Sequence, residues 1–281
     1  MNSIDSTVAV ITGGSSGIGK ALAKECLQKG YNVVIGARRK DVLKRCEAEL
    51  STYAGDSGAV SSCVLDVSDE KSIIRFVGFC DQKFGKIDLL FNCAGIAVCK
   101  EFECTSSAEF TEVAAVDYTG TALMVKHSLP LIQKSGKGHI IAVSSMAGVM
   151  GVYGYSAYSP AKYAVVGFAE VLRAELIPHG IAVSLVLPAD TQTPQFVAEN
   201  ATKPEITKRI SGTIKPMSAE KAAKCIMKGI AKKRFLIIPG FMSKFIYHIN
   251  RLFPNLMYAY SKRVIQNYLK NRGRANSLRR G

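Results

Sequence analysis

The sequence predicts an α/β protein: one doubly wound domain with a seven-stranded parallel sheet and helices on both faces, followed by an amphipathic, basic helical tail. Three observations predict it. Short apolar runs alternate with segments of helical periodicity over residues 7–238, the pattern of strand-helix-strand units. A glycine-rich turn joins the first apolar run to the first helical one, and from Phe241 onward the alternation gives way to an aromatic, basic, acid-free segment. A length of 281 residues suits one large α/β domain or two small ones. With no internal repeat and no linker before residue 239, we divide the chain into a main domain, 1–240, and an extension, 241–281.

Residues 7–12 read as a buried strand and 20–29 as a helix. Between them lies Gly13-Gly-Ser-Ser-Gly17-Ile-Gly19. Glycines let the backbone approach a ligand closely, and the helix that follows offers unpaired amides and a positive dipole end to a phosphate. The spacing is Gly-x-x-x-Gly-x-Gly and not the more familiar Gly-x-Gly-x-x-Gly. Its place between a first strand and a first helix nevertheless points to a dinucleotide held by Gly13, Ser15, Ser16, Gly17, Ile18 and Gly19 in a Rossmann-type fold. The second strand, 31–36, ends in Ala37-Arg38-Arg39-Lys40. An acid at this point takes a ribose 2′-hydroxyl, whereas arginine accommodates a 2′-phosphate. Arg38 and Arg39 therefore predict NADP(H), with Ser15 assisting. The competing reading is a solvated basic helix start, but cations are poorly placed at a helix N-terminus.

A helix over 41–53 leads to a third strand, 59–65, closed by Asp66 and Val67. The Asp66 carboxylate either accepts from an adenine amino group or caps the helix that starts near Ser68. The fourth strand, 87–91, ends in Asn92, Cys93, Ala94 and Gly95, a small-residue turn expected to pack under the cofactor. A long helical stretch, 107–135, carries Asp117. The fifth strand, 139–143, delivers Ser144 and Ser145, and the next helix starts at about Ser156. Pro160 fits its first turn, where amides have no intrahelical partner to lose. A sixth strand, 181–187, opens into Pro188-Ala-Asp-Thr191-Gln-Thr193-Pro194. The polar stretch that follows, about 190–215, suits a mobile lid over substrate. A helix over 218–232 and a seventh strand, 234–238, complete the sheet.

Within this frame Tyr158 and Lys162 stand four residues apart, so a helix places them on one face. A free tyrosine has a pKa of about 10, and an ammonium held beside it favours the phenolate. Ser145, at a strand end, can hydrogen-bond the same substrate oxygen. The three residue types together make a device for moving a proton to or from that oxygen.

Composition narrows the alternatives. Apolar residues make up 48% and charged residues 21%, a globular balance. Eight scattered cysteines form no Cys-x-x-Cys pair and accompany no histidine cluster, so we expect reduced core thiols, a cytoplasmic setting and no metal site. The first six residues lack a basic region followed by an apolar run, so no signal peptide or N-terminal anchor is expected. The net charge is +15; residues 231–281 hold twelve lysines and arginines and no acid, which leaves +3 for the rest. In the extension, Phe241, Phe245, Ile249, Leu252, Leu256 and Tyr260 fall at helical spacing, with Lys244 and Arg251 on the opposite flank and Pro254 dividing two short helices. Such a segment is too polar to span a membrane but suits its interface. The alternative is a terminal helix packed on the core or on a partner subunit. Nucleic-acid binding is disfavoured, since no recognised binding module accompanies the charge.

With these residues in view, the chain resembles the short-chain dehydrogenase/reductase family over residues 6–238. The resemblance rests on Thr12 to Gly19, the Asn92 to Gly95 turn, Ser145, Tyr158-x-x-x-Lys162 and the Pro188 to Thr193 turn. Within the family, the stretches Pro188 to Pro194 and Glu199-Asn-Ala-Thr-Lys-Pro204 look like those of 3-ketodihydrosphingosine reductases. That resemblance implies NADPH, a long-chain keto lipid substrate, and action at the cytosolic face of a membrane, the endoplasmic reticulum if the cell is eukaryotic. It further implies that Tyr158 donates a proton to the ketone oxygen while Ser145 hydrogen-bonds it. Lys162 would tune Tyr158 and hold the nicotinamide ribose, and Pro188, Thr191 and Thr193 would contact the nicotinamide or phosphates. Eukaryotic members often carry an N-terminal membrane segment, for which the basic tail would substitute. Asp117 departs from the family's usual asparagine, which helps relay protons through water. Members commonly associate through the helix of Tyr158, so a homodimer or homotetramer is implied. Reduction of another lipidic ketone (steroid, retinoid or 3-oxoacyl thioester) and a non-catalytic NADP(H)-binding membrane adaptor are the alternatives.

Overall fold

The computed structural model describes residues 6–55, 58–212 and 215–278, with side chains as far as residue 271. The expected lack of a leader falls on residues 1–5, and Arg272, Arg274, Arg279 and Arg280 of the basic tail likewise lie outside the described side chains.

The strands are β1 (Val8–Thr12), β2 (Asn32–Ala37), β3 (Val60–Val64), β4 (Leu89–Asn92), β5 (His139–Val143), β6 (Ala182–Val186), β7 (Thr191–Gln192), β8 (Met217–Ser218) and β9 (Leu236–Ile237). Seven form one sheet in the order β3-β2-β1-β4-β5-β6-β9, every pairing parallel, as expected. The strands β7 and β8 make a separate two-residue pair. After β3 the chain crosses β1 to build outward on its other side. The β1 and β4 ends thus form a topological switch point, the place where open α/β sheets hold ligands.

The helices are α1 (Gly17–Leu27), α2 (Lys40–Ser51), α3 (Glu70–Phe84), α4 (Ser107–Ala114), α5 (Gly120–Lys134), α6 (Tyr158–Glu175), α7 (Pro194–Thr202), α8 (Glu205–Ser211), α9 (Ala219–Ala231), α10 (Phe241–Leu252) and α11 (Pro254–Leu278). Alternate strand side chains enter opposite cores, because the side-chain period in a strand is two. Val8 and Val10 of β1 pack with Phe76 of α3, Met124 of α5 and Val165 of α6. Ala9 and Ile11 pack with Leu22 of α1, Leu43 of α2 and Ile226 of α9. Phe76 and Phe91 are fully buried, one in each core, and truncating either to alanine costs about 3–5 kcal/mol.

Four expectations are corrected. The 107–135 stretch is helical but contains a π-turn, Ala115–Thr119, which carries Asp117. The Tyr158 helix starts two residues later than Ser156, with Ala157 as its N-cap. The 190–215 stretch is no open loop, since it holds α7 and α8. Thr193 caps α7 by accepting from the Phe196 amide at 3.1 Å, Pro194 occupies its first turn, and Ile206, Thr207 and Ile210 of α8 are buried. Lastly, Pro254 starts a 25-residue helix where two short ones were expected, and Tyr268 on it lies 5.1 Å beneath the Arg209 guanidinium of α8.

Candidate active site

Tyr158 opens α6 and Lys162 follows one turn later, its ammonium 5.6 Å from the centre of the Tyr158 ring. The start of α6 is fixed to the end of β5 by Ser144, whose hydroxyl donates to the Lys162 carbonyl at 2.8 Å. Gly148 is required beneath it: a Cβ there would lie 2.4 Å from Ser144 Oγ and 2.7 Å from the Lys162 carbonyl oxygen. Ser145 caps the turn Met146–Gly148, its Oγ accepting from the Ala147 amide at 3.1 Å. The Met146 amide donates to the Pro188 carbonyl at 2.9 Å, which ties the end of β5 to the turn after β6. Ser145, Tyr158, Lys162 and Pro188 therefore line one cleft of about 310 Å³ at the carboxyl end of the sheet.

Lys162 is 5% exposed and Asp117 fully buried. Asp117 Oδ2 lies 3.2 Å from Lys162 Nζ, and its Oδ1 accepts from the Ile96 amide at 2.8 Å. Lys162 Nζ also donates to the Val143 carbonyl at 3.3 Å. The π-turn is what sets Asp117 at this depth, since an extra residue in the turn re-aims the side chain. Burial works against the Lys162 ammonium, but Asp117 and Tyr158 outweigh it and raise its pKa above the ordinary lysine range. Burial raises the Asp117 carboxyl above the usual range, with Lys162 and the Ile96 amide pulling against it.

For Tyr158 the balance differs from the sequence expectation. Burial pushes its phenol above the ordinary value; Lys162 pulls it down and Asp117 pushes it up again, with a Ser145 hydrogen bond favouring the phenolate. The contribution of Lys162 has the expected sign, yet the net direction is upward because burial outweighs it, with Asp117 adding to the rise.

The residues facing the switch point fit a dinucleotide. Gly13 adopts φ +66°, and a Cβ at Gly19 would lie 2.5 Å from the Gly13 carbonyl oxygen, so this turn admits no side chain there. The N-cap Ser16 makes no side-chain cap bond and the first turn of α1 holds no acid, which leaves amides free for an anion. Ser15, Ser16, Gly17, Ile18 and Gly19 all line the cleft with Ala94 and Gly95. Thr12, which sequence reasoning passed over as a site residue, shapes the opposite turn by accepting from the Cys93 and Ala94 amides, each at 3.0 Å.

Other predicted residues are placed less directly. Arg38 and Arg39 are exposed at the end of β2, unpaired with any carboxylate among the described residues, and outside the enclosed cleft. Asp66 does not cap α3; Asp69 does, while Asp66 accepts from the Ser68 amide at 3.0 Å and hydroxyl at 2.6 Å. The side chain of Val67 packs in the core, which leaves only its backbone for a ligand. Asn92 is 2% exposed, and its side-chain amide has no hydrogen-bond partner among the described residues. Thr191 and Thr193 line the cleft, but both hydroxyls are engaged, Thr191 to the Ala189 carbonyl and Thr193 as the α7 cap.

Sequence reasoning also missed Tyr155, Asp190, Glu199 and Lys203. Tyr155, Asp190 and Glu199 line the same cleft, and Lys203 stands behind them against the Tyr155 and Phe196 rings. The available signal was the Glu199 and Lys203 spacing of four, with Lys203 as the C-cap of α7.

A parallel doubly wound sheet that presents a glycine turn, a serine, a tyrosine and a buried lysine at its switch point defines a dinucleotide-dependent oxidoreductase. Residues 7–204 match the short chain dehydrogenase family, and the chain belongs to it. Its relatives include a 3-ketodihydrosphingosine reductase of Bos taurus, 35% identical over 228 residues, 80% of this chain and 69% of that protein. A 3-ketodihydrosphingosine reductase of Dictyostelium discoideum is 38% identical over 236 residues, 79% of this chain and 71% of that protein. A short-chain dehydrogenase/reductase from Burkholderia phymatum, solved in complex with NAD, shares the fold at a TM-score of 0.78 and 24% identity, covering 91% of this chain and 96% of its own.

Proposed function

We propose that this chain uses NADPH to reduce the 3-keto group of a long-chain sphingoid base, working peripherally at a membrane surface. The convergence of Ser145, Tyr158 and Lys162 on one cleft carries the reading, and the names of the relatives supply the substrate class. The free amides at the start of α1 would hold the pyrophosphate, Arg38 and Arg39 the 2′-phosphate, and Asp66 the adenine edge. Ala94 and Gly95 would floor the site, with Pro188, Thr191 and Thr193 along its far wall. When bound, NADPH supplies a hydride to the ketone carbon.

Tyr158 transfers its phenolic proton to the ketone oxygen, completing the alcohol, while Ser145 hydrogen-bonds the same oxygen as negative charge develops there. Lys162 stabilises the phenolate left behind and orients the ribose; Asp117 holds Lys162 in place and limits how far it lowers the Tyr158 pKa. The raised pKa keeps Tyr158 protonated, ready to donate, at neutral pH.

Membrane contact is assigned to the tail. Phe241, Phe245, Leu252, Phe253, Leu256 and Tyr258 are exposed, with basic Lys244, Arg251, Lys262 and Arg263 among them. Ile246, Met257 and Tyr260 from the same helices line the cleft, so a lipid chain would pass from the surface to Tyr158 beside them. Among the described residues no helix is long and apolar enough to cross a membrane. We assign the protein to the cytosolic face of a membrane, the endoplasmic reticulum if the cell is eukaryotic. Exposed Tyr163 and Val171 on α6 suit pairing of two copies.

The test is a panel in detergent micelles: NADPH oxidation with 3-ketodihydrosphingosine against a steroid ketone, a retinoid and a 3-oxoacyl thioester. The reading requires the sphingoid base to have the highest kcat/KM. A higher value for any of the others, or cofactor binding without turnover of any ketone, contradicts it.

A further inference from the structure

The cluster of Tyr155, Asp190, Glu199 and Lys203 has no part in the proton transfer, yet three of its four members face the cleft. Glu199 Oε1 accepts from the Tyr155 hydroxyl and from Lys203 Nζ, the latter at 2.9 Å. Asp190 Oδ2 lies 3.8 Å from the same ammonium. The Lys203 side chain is 2% exposed and the Glu199 side chain 10%, while Asp190 is 33% exposed toward the cleft. Two carboxylates thus share one lysine. Glu199 Oε2, on a side chain nine-tenths buried, has no hydrogen bond among the described residues.

The location gives the cluster its meaning. The Tyr155 ring centre is 5.6 Å from that of Tyr158, so the carboxylates stand one aromatic ring away from the proton donor, on the same wall. The surroundings are apolar and aromatic, with the Phe196 ring centre 5.1 Å from Lys203 Nζ. A half-compensated carboxylate pair in such surroundings is stabilised by a second cation. Burial holding the Asp190 carboxyl above its usual range agrees with an incompletely paired acid.

We propose that Glu199, assisted by Asp190, binds a substrate ammonium group carried next to the ketone, and so makes this cleft selective for amino ketones over neutral ketones. The inference rests on the sphingoid-base reading above, because a 3-keto sphingoid base carries its amine on the carbon adjacent to the carbonyl. With the carbonyl oxygen on Tyr158 and Ser145, that amine lies within reach of the neighbouring wall. Lys203 and Tyr155 are positioning residues: they fix one Glu199 oxygen and leave the other for the ligand.

The experiment compares 3-ketodihydrosphingosine with its des-amino analogue, a long-chain neutral ketone, in the wild type and in Glu199→Gln. Glutamine keeps the volume and an acceptor for Tyr155 and loses the charge. The readout is the ratio of kcat/KM for the amino ketone over the neutral ketone. It should fall about 10–100-fold, the worth of a charge-assisted hydrogen bond. Asp190→Asn should lower it by a smaller factor, and this variant serves if Glu199→Gln does not fold. An unchanged ratio, with both substrates slowed alike, would mean a structural role and overturn the proposal. Calorimetric binding of dihydrosphingosine and of its N-acetyl derivative separates this claim from the choice of reaction. Wild-type preference for the free amine, lost in Glu199→Gln, sustains the ammonium site even if the panel above finds another ketone reduced faster. Equal binding of the two ligands by the wild type overturns it whatever the panel shows.

Discussion

Replacing Asp117 by asparagine isolates the charge that opposes the Lys162 ammonium in setting the Tyr158 proton affinity. Asparagine keeps an acceptor for the Ile96 amide, now 2.8 Å from Oδ1, and removes the negative charge 3.2 Å from Lys162. Coulomb's law across the 5.6 Å between the ammonium and the centre of the Tyr158 ring, with an effective dielectric of about 20, gives an attraction of about 3 kcal/mol. Asp117 cancels part of that attraction, so removing it should lower the Tyr158 pKa. The proton donor is the neutral phenol, and ketone reduction is lost as pH rises through its pKa. The alkaline limb of kcat/KM should therefore move to lower pH in Asp117→Asn. The matching measurement is ultraviolet titration of the phenolate, with Tyr158→Phe as the blank. The substitution also strips a buried ammonium of its counter-charge, a cost of at most about 3–5 kcal/mol read from urea unfolding. An alkaline limb that stays in place, or moves upward, refutes the account of how Asp117 acts.

Arg38→Ala combined with Arg39→Ala should cut the kcat/KM preference for NADPH over NADH about 10–100-fold, through a rise in KM for NADPH. An unaltered preference would place 2′-phosphate recognition elsewhere. His139 is 5% exposed and bonds Ser184 at 2.8 Å, and burial, with Lys233 nearby, lowers its pKa to about 4. The unfolded chain, with a histidine pKa of about 6.5, binds that proton first as pH falls. Stability from this group is thus full above pH about 6.5 and declines toward pH 4, by about 2 kcal/mol at pH 5. Urea unfolding at pH 7 and pH 5 should show this loss in the wild type and a smaller one in His139→Gln; equal losses contradict it. Changing Phe241, Phe253 and Tyr258, all more than half exposed, to serine should weaken sedimentation with anionic vesicles. Undiminished sedimentation of this variant would show that another surface meets lipid.

Much of this architecture was legible because its signals are local and periodic. The alternating apolar runs marked all seven strands of the main sheet, and spacing alone put Tyr158 and Lys162 on one face. What escaped notice depends on contacts between distant segments. Asp117 and Lys162 are 45 positions apart, so their ion pair, and with it the part Asp117 plays in raising the Tyr158 pKa, has no local trace. The π-turn that sinks Asp117 differs from a regular helix by a single residue of register. Polarity concealed α7 and α8, although Thr193-Pro194 is a helix-start signal in its own right. The length of α11 was hidden in the same way, since past Tyr260 it gains support from α8 and carries no strong apolar stripe of its own. The spacing of Glu199 and Lys203 marks a helical ion pair but not what that pair faces. Their place beside the cleft depends on α7 lying across Tyr155, a contact between segments 44 positions apart.

The central claim is that a phenol, an ammonium and a hydroxyl meet beside a ketone and protonate it. The most direct measurement is single-turnover oxidation of bound NADPH by 3-ketodihydrosphingosine in the wild type and in Tyr158→Phe. The account predicts a rate about 10²–10⁴-fold slower in the variant, with NADPH affinity unchanged. Equal rates in the two proteins would contradict it.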